Sequence, residues 1–298
     1  MKMRGSSKIK DSKGVIAFRI FNVTFMLFVM FITLYPMLYV VFASLSNGGD
    51  LMRHSGMLFT PLNPTISAYT SVFRDPMVLR GYANTIFIVV AGVSLNIFLT
   101  SITAYALSRR GVLWQKWILA YITITMVLRG GMIPRYITVG LMYNLENNML
   151  ALIIPMAINT FNLIIMRTSF ASVPVSLEES AKIDGAGHLR ILFFIILPLS
   201  LPILAVMTLY YSVGHWNSWF DAVLFMRDRS KFPLQLILRE VLINSENKNM
   251  TAGTGDYEGL AETVKYAVIV VATVPILLIY PFLQKYFVKG TMVGAVKE

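Results

Sequence analysis

Apolar residues run almost unbroken over 20–45, 82–107, 149–166, 191–213 and 263–284. A sixth stretch, 114–128 with its extension, is interrupted by Arg129-Gly130-Gly131-Met132-Ile133-Pro134. A helix needs about 20 apolar residues to cross the hydrocarbon core of a bilayer. The pattern therefore predicts an all-α polytopic membrane protein, with six transmembrane helices in one domain over 20–284. Of the polar segments between them, 46–80 is rich in Gly, Pro and Asn and includes Pro61-Leu62-Asn63-Pro64, which predicts turns over helix. The segment 214–262 has two parts: a short helix predicted over Lys231–Glu240, then a polar, mobile stretch from Asn244 to Gly259.

Composition agrees with lipid as the solvent. Of 298 residues 56% are hydrophobic and 14% charged, against about 25% charged in soluble domains. Basic residues set the orientation. With the N-terminus inside, the inner segments 1–19, 108–116, 167–190 and 285–298 carry 15 Lys/Arg and 5 Asp/Glu, whereas the outer segments 46–80, 129–148 and 214–262 carry 10 of each. Both tails, 1–19 and 285–298, are thus expected in the cytoplasm. The net charge of +11 is explained by topology, so nucleic acid is not expected as a partner. The basic start (Lys2, Arg4, Lys8, Lys10, Lys13) resembles a signal peptide, but its apolar run, roughly 25 residues, exceeds the 7–15 of a signal core and reads as a retained first span. Cysteine is absent, which excludes disulfides and thiolate metal sites.

One polar element lies between the fourth and fifth spans. Ser176-x-x-Glu179 has the spacing of a capping box, and Gly185 and Gly187 offer stops. This predicts a helix from Leu177 to about Ala186, too short to be stable in water without a surface to pack on. Ser180, Ala181 and Ala186 are small enough for close approach to a partner. Glu178, Glu179 and Asp184 make the element acidic on an otherwise basic face. For Glu179 the plainer reading, a cap and nothing more, carries equal weight. Beyond the helix, Pro198 and Pro202 fall inside the fifth span, where each removes a backbone donor and kinks the chain; they are hinge candidates.

The order Glu179-Ser180-Ala181, three residues, Gly185, nine residues, Ile195-x-Leu197-Pro198 resembles the coupling loop of ABC importer permeases, with Ser180 where that pattern has alanine. Asp184-Gly185-Ala186-Gly187, Gly214-His215-Trp216-Asn217, Pro233-Leu234-Gln235 and the tail Lys285-Tyr286-Phe287-Val288-Lys289-Gly290 are similar to the carbohydrate-uptake group. The likeness covers roughly residues 15–298, and is nearest to the maltose-type second permease and, within it, to the branch importing oligosaccharides or polysaccharides such as alginate. The resemblance implies a bacterial cytoplasmic (inner) membrane location, a homologous second permease, two ATP-binding subunits and an extracytoplasmic sugar-binding protein. It implies a non-catalytic subunit in which residues 177–186, within the coupling loop 167–190, dock on an ATPase, and a tail, 291–298, that reaches toward the ATPase interface. The chain has no G-x-x-x-x-G-K-[ST] loop, so ATP and Mg would be held by the partner subunits and no cofactor by this chain.

Sugars are gripped by aromatic faces and by amides on their hydroxyls. Candidates for the path are Tyr210, Tyr211, His215, Trp216, Asn217 and Trp219 at the outer end of span five, and Asn159 and Asn162 in span four. An interfacial aromatic belt accounts for Trp219 more simply, and interhelical hydrogen bonding accounts for Asn84, Asn96, Asn159 and Asn162 equally well. Arg129 and Arg135 flank the Gly-Gly break and could meet an anionic substrate or the binding protein, though headgroup contact is the commoner fate of such arginines. The three histidines, His54, His188 and His215, share no helix face, and no metal or hydrolytic site is expected. The alternative is an ion-coupled sugar carrier, but the acidic residues cluster in the loops, none lies mid-span, and no repeat is evident.

Overall fold

The computed structural model describes residues 12–109, 111–128, 130–251 and 255–295. Lys2, Arg4, Lys8 and Lys10, Arg129 and the last three residues of the tail lie outside them. Every regular element among the described residues is helical. Three helices there are long and apolar enough to cross a membrane, and up to six spans result if each bent helix pair counts as one. The chain divides into two compact units, residues 1–70 with 245–270 and residues 71–244 with 271–298.

In the first unit α1 (Lys13–Ser44) begins on Ser12, whose hydroxyl accepts from the Val15 N–H at 3.4 Å. It starts earlier than the apolar run because Lys13 and Arg19 are compatible with a helix that continues out of the lipid. The segment expected to be turns instead contains α2 (Gly48–Arg53) and α3 (Ser67–Phe73). Asn47 caps α2 by accepting from Gly49 N–H at 3.0 Å, and its own N–H donates to Leu62 O at 2.8 Å. The cap and cross-loop bonds replace the turn that composition suggested. Gly48 meets Gly259 so closely that no side chain fits between them.

The second unit is built on α4 (Pro76–Ser108), started by Asp75 as cap with Pro76 in the first helical position. Gly81, Thr85, Ile88, Gly92, Asn96, Thr100 and Ala104 recur every three or four residues and are all buried, so a mostly small and polar face looks inward. That is the arrangement expected when lipid takes the apolar face. The next segment holds α5 (Gln115–Val127) and α6 (Met132–Tyr136), which runs on as a wider π-type turn to Met142. They are separated at Gly130 and Gly131, the latter at φ +77°.

The fourth apolar run is broken as well. Residues 149–156 form 3₁₀ turns, and α7 (Thr160–Ala171) follows at a 46° bend. The break falls where Asn159 accepts from the Asn162 N–H at 3.1 Å and starts a new helix. The element after it, α8 (Val175–Ile183), corrects the expected 177–186 helix. Pro174, with φ fixed near −55°, stands at the N-cap, so the helix starts two residues early and Ser176 is already helical; the capping box does not form. At the other end Gly185 (φ +79°) closes a Schellman motif, with Ala186 N–H donating to Ala181 O at 2.9 Å and Gly185 N–H to Lys182 O at 3.0 Å.

The fifth run contains α9 (His188–Ile191), a π-type turn, α10 (Leu197–Leu199) and α11 (Leu201–Trp216), with an 88° bend at Ser200. Pro202 sits in the first turn of α11, where a missing N–H costs nothing, and Pro198 lies near the end of the continuous helical stretch 188–199, so the two flank the bend. The bend lies between the two prolines, at Ser200. After α12 (Trp219–Phe225), α13 runs from Leu234 to Thr251, far past the expected Glu240, so residues 244–251 are helical and not a mobile loop. The last helix, α14 (Gly255–Ala295), includes the sixth apolar run and the residues described beyond it.

Candidate functional site

The breaks in the third and fourth runs leave backbone and polar side chains facing a cavity of about 980 Å³ in the second unit. Its walls include Gly130, Gly131 and Arg135, the 155–159 break, Thr160 and Asn162 of α7, Tyr210 and Tyr211 of α11, and Asp221 of α12. Irregular backbone is tolerated at membrane depth where it lines such a cavity.

Four bonds fix the wall. Tyr211 shares a hydrogen bond with Thr100 Oγ1 at 2.7 Å, and its hydroxyl accepts from Asn159 N–H at 3.1 Å. Thr125 and Thr160 hydroxyls meet at 3.1 Å, tying α5 to the start of α7. Arg135 Nη2 donates to Asp221 Oδ2 at 2.8 Å. Burial pushes the Asp221 carboxyl above the usual carboxylate range, against the opposing charge and hydrogen bond of Arg135. Asn162 is only 5% exposed and, among the described residues, its side-chain amide has no hydrogen-bond partner. The amide lies open to the cavity, where a ligand or water can supply its hydrogen bonds.

Of the sequence candidates, Asn159, Asn162, Tyr210 and Tyr211 come together here. The other four do not line the cavity. His215 is fully buried and pairs through Nε2 with Asn96 Oδ1 at 2.7 Å. Trp216 donates from Nε1 to Ala272 O at 3.0 Å and faces Tyr82. Asn217 Nδ2 donates to Val213 O in its own helix, and Trp219 lies beneath the Arg239 guanidinium at 4.4 Å. Asn84 and Asn96 act as interhelical bridges: Asn84 Nδ2 donates to Ser230 O and Phe232 O, and Asn96 Nδ2 to Met156 O and Ala157 O.

A second site centres on α8, whose two faces differ. Glu178 (4% exposed) and Ala181 point inward, while Glu179, Ser180, Ile183 and Asp184 are exposed, Ile183 at 86%. Gly185 and Gly187 are exposed and Ala186 is half-buried. Glu178 Oε2 receives Arg109 Nη1 at 2.6 Å, and Oε1 receives Lys182 Nζ at 3.0 Å. Burial alone would raise the Glu178 carboxyl, but hydrogen bonds from Lys182 and Arg109 and their charges outweigh it, leaving it below its ordinary value. Composition missed Arg109, because Arg109-Arg110 reads as a topological charge and nothing nearby in sequence names its partner. It missed Asp221 for the same reason. Among the described residues no cluster of His, Cys, Asp or Glu is arranged to hold a metal.

A helical chain with membrane-length apolar segments, broken around a polar cavity, is a membrane permease in class. No protein-family model matches it. It is 42% identical over 291 residues to the protein LplC of Bacillus subtilis, spanning 96% of this chain and 97% of LplC. It is 39% identical over 278 residues to YtcP of the same organism, a polygalacturonan/rhamnogalacturonan transport system permease, spanning 92% and 96%. Among solved structures, a chain from a bacterial ABC transporter that imports the acidic polysaccharide alginate superposes with a TM-score of 0.80 at 32% identity, over 94% of this chain and all of that one. The chain belongs to the permease subunits of ABC sugar transporters. An ion-coupled secondary carrier is set aside by the same likenesses.

Proposed function

We propose that the chain crosses the bacterial cytoplasmic membrane six times, with both termini inside, and pairs with a homologous permease to import fragments of an acidic polysaccharide. The single observation that carries this reading is the two-faced α8. Its inner face is satisfied within the chain, and its outer face of Glu179, Ser180, Ile183 and Asp184 is open for another protein. A two-turn helix held out on such an anchor suits insertion into a cleft on an ATP-binding subunit. Nucleotide-driven closure of two such subunits would move α8, and the break at Ser200 between Pro198 and Pro202 would let the inner and outer parts of the fifth span turn separately.

On the outer side, a sugar-binding protein would deliver substrate to the cavity. The Asn162 amide and the Tyr210 face suit sugar hydroxyls and ring C–H surfaces. The Arg135 guanidinium spends one N–H on Asp221 and keeps others for a uronate carboxylate. The acidic substrate class is supported by what YtcP and the alginate transporter are named for. ATP and Mg belong to the partner ATPases, and this subunit catalyses nothing.

The test is a reconstituted complex with its binding protein, offered oligogalacturonates and neutral oligosaccharides. Stimulated ATP hydrolysis with the acidic set alone supports the reading, and stimulation by neutral sugars alone removes the acidic substrate while keeping the importer. Glu179→Lys should leave expression intact and uncouple hydrolysis from uptake; unchanged uptake would sink the docking role of α8.

A further inference from the structure

The two adjacent glutamates of α8 face opposite ways, and only one can meet a docked partner directly. We propose that Glu178 and Arg109 form an internal strut that carries movement of α8 into α4 and α7, while Glu179 serves the docking face. This rests on the importer reading above.

The geometry concentrates at one guanidinium. Arg109, just past the end of α4, donates from Nη1 to Glu178 Oε2 at 2.6 Å, from Nη2 to Phe170 O at 2.6 Å, and from Nε to Ser108 Oγ at 3.0 Å. Phe170 O is one of the last carbonyls of α7; past the helix end it receives only the Val173 N–H at a long 3.4 Å and the shared Ser172 N–H, and it has room for the guanidinium as well. Three elements are thereby bonded to one rigid planar fork, a task that the flexible point charge of lysine cannot copy. The fork also lies 5.0 Å over the Tyr105 ring of α4, and Tyr105 donates its hydroxyl to Glu178 Oε1 at 3.3 Å.

Among the described residues, the hydrogen bonds its side chains make to other elements all end on Glu178. The rest of its inner face is Ala181, which shares a buried apolar cluster with Ala104 and Tyr105 of α4 and Met166 and Phe170 of α7. The pair is buried, with side-chain exposures of 13% for Arg109 and 5% for Glu178, so salt screens it little. A push or pull on the outer face of α8 is therefore delivered to the ends of α4 and α7. Those two helices and α11 carry residues that fix the cavity wall, Thr100, Thr160 and Tyr211.

The experiment uses the complete transporter in proteoliposomes, reading assembly, ATP hydrolysis and uptake of labelled oligogalacturonate. Glu178→Gln and Arg109→Lys should assemble and hydrolyse ATP, yet import less sugar per ATP by a factor of roughly 2 to 30, the range seen for residues along a coupling network. Glu178→Gln/Arg109→Lys together should import within about twofold of the worse single variant, because both cut one link. Uptake per ATP at the unmodified level overturns the strut. Losses that multiply in the double variant overturn it too, and so does a complex that falls apart, which would place Glu178 in docking or folding. If the unmodified transporter shows no ATP-dependent uptake, the importer reading fails instead.

Discussion

Gly92→Ala probes the packing that positions the cavity. An added Cβ would stand 2.6 Å from Cε1 and 2.8 Å from Cδ2 of His215, and closer still to Nε2. The ring has nowhere to retreat: it is fully buried, and its Nε2 is bonded to Asn96. Asn96 in turn donates to Met156 O and Ala157 O, at the break that forms one wall of the cavity. Overpacking of a filled interior costs about 1–3 kcal/mol. Losing the His215–Asn96 bond adds about 0.6–2 kcal/mol, the range for polar pairs between membrane helices. The total is about 2–5 kcal/mol, on the order of a 10 °C fall in unfolding midpoint. Thermal unfolding of the detergent-purified protein measures it. The double variant Gly92→Ala/His215→Ala should be no less stable than His215→Ala alone, because the obstructing ring is gone. Gly187→Ala, where nothing lies within 4 Å, is the control. A Gly92→Ala protein as stable as the unmodified one would refute the packing argument.

Trp216→Ala removes a buried ring and its bond to Ala272 O, so the unfolding midpoint should drop by the equivalent of about 3–5 kcal/mol; a pure uptake defect at full stability would return Trp216 to the sugar path. Asn162→Ala should lower uptake about 5- to 10-fold, the worth of one lost hydrogen bond, while the unfolding midpoint changes little because that amide has no protein partner to lose. The depressed Glu178 carboxyl sets a pH dependence. Its stabilising effect is complete above its ordinary value of 4.5 and is lost as pH falls through the lower folded value. Unfolding midpoints measured from pH 7 downward should therefore show an acid-side decline that Glu178→Gln flattens.

Much of this architecture is written in the sequence at the level of hydropathy. The long runs became α1, α4 and α14 because an uninterrupted apolar stretch in lipid has no alternative to the helix. The broken runs were less legible. Whether Asn159 sits within a helix or starts one depends on a cap bond that hydropathy does not weigh, and Pro198 and Pro202 kink or break a span according to where the helices begin. Segment 46–80 misled because Asn47 and Asp75 are both turn formers and helix caps. At the site, Asn159, Asn162, Tyr210 and Tyr211 were found by residue type alone. His215 and Trp216 share that chemistry but face neighbouring helices, and facing is a property of register. Arg109 and Glu178 lie 69 positions apart, and only the fold brings them together.

The most direct measurement of the central claim is the energy source for uptake. In proteoliposomes containing the complete transporter and its binding protein, labelled oligogalacturonate should accumulate only with ATP inside the ATPase-facing compartment, and should persist when proton and sodium gradients are collapsed. Uptake that follows an ion gradient and ignores ATP would contradict the assignment of this chain as an ATP-driven permease coupled through α8.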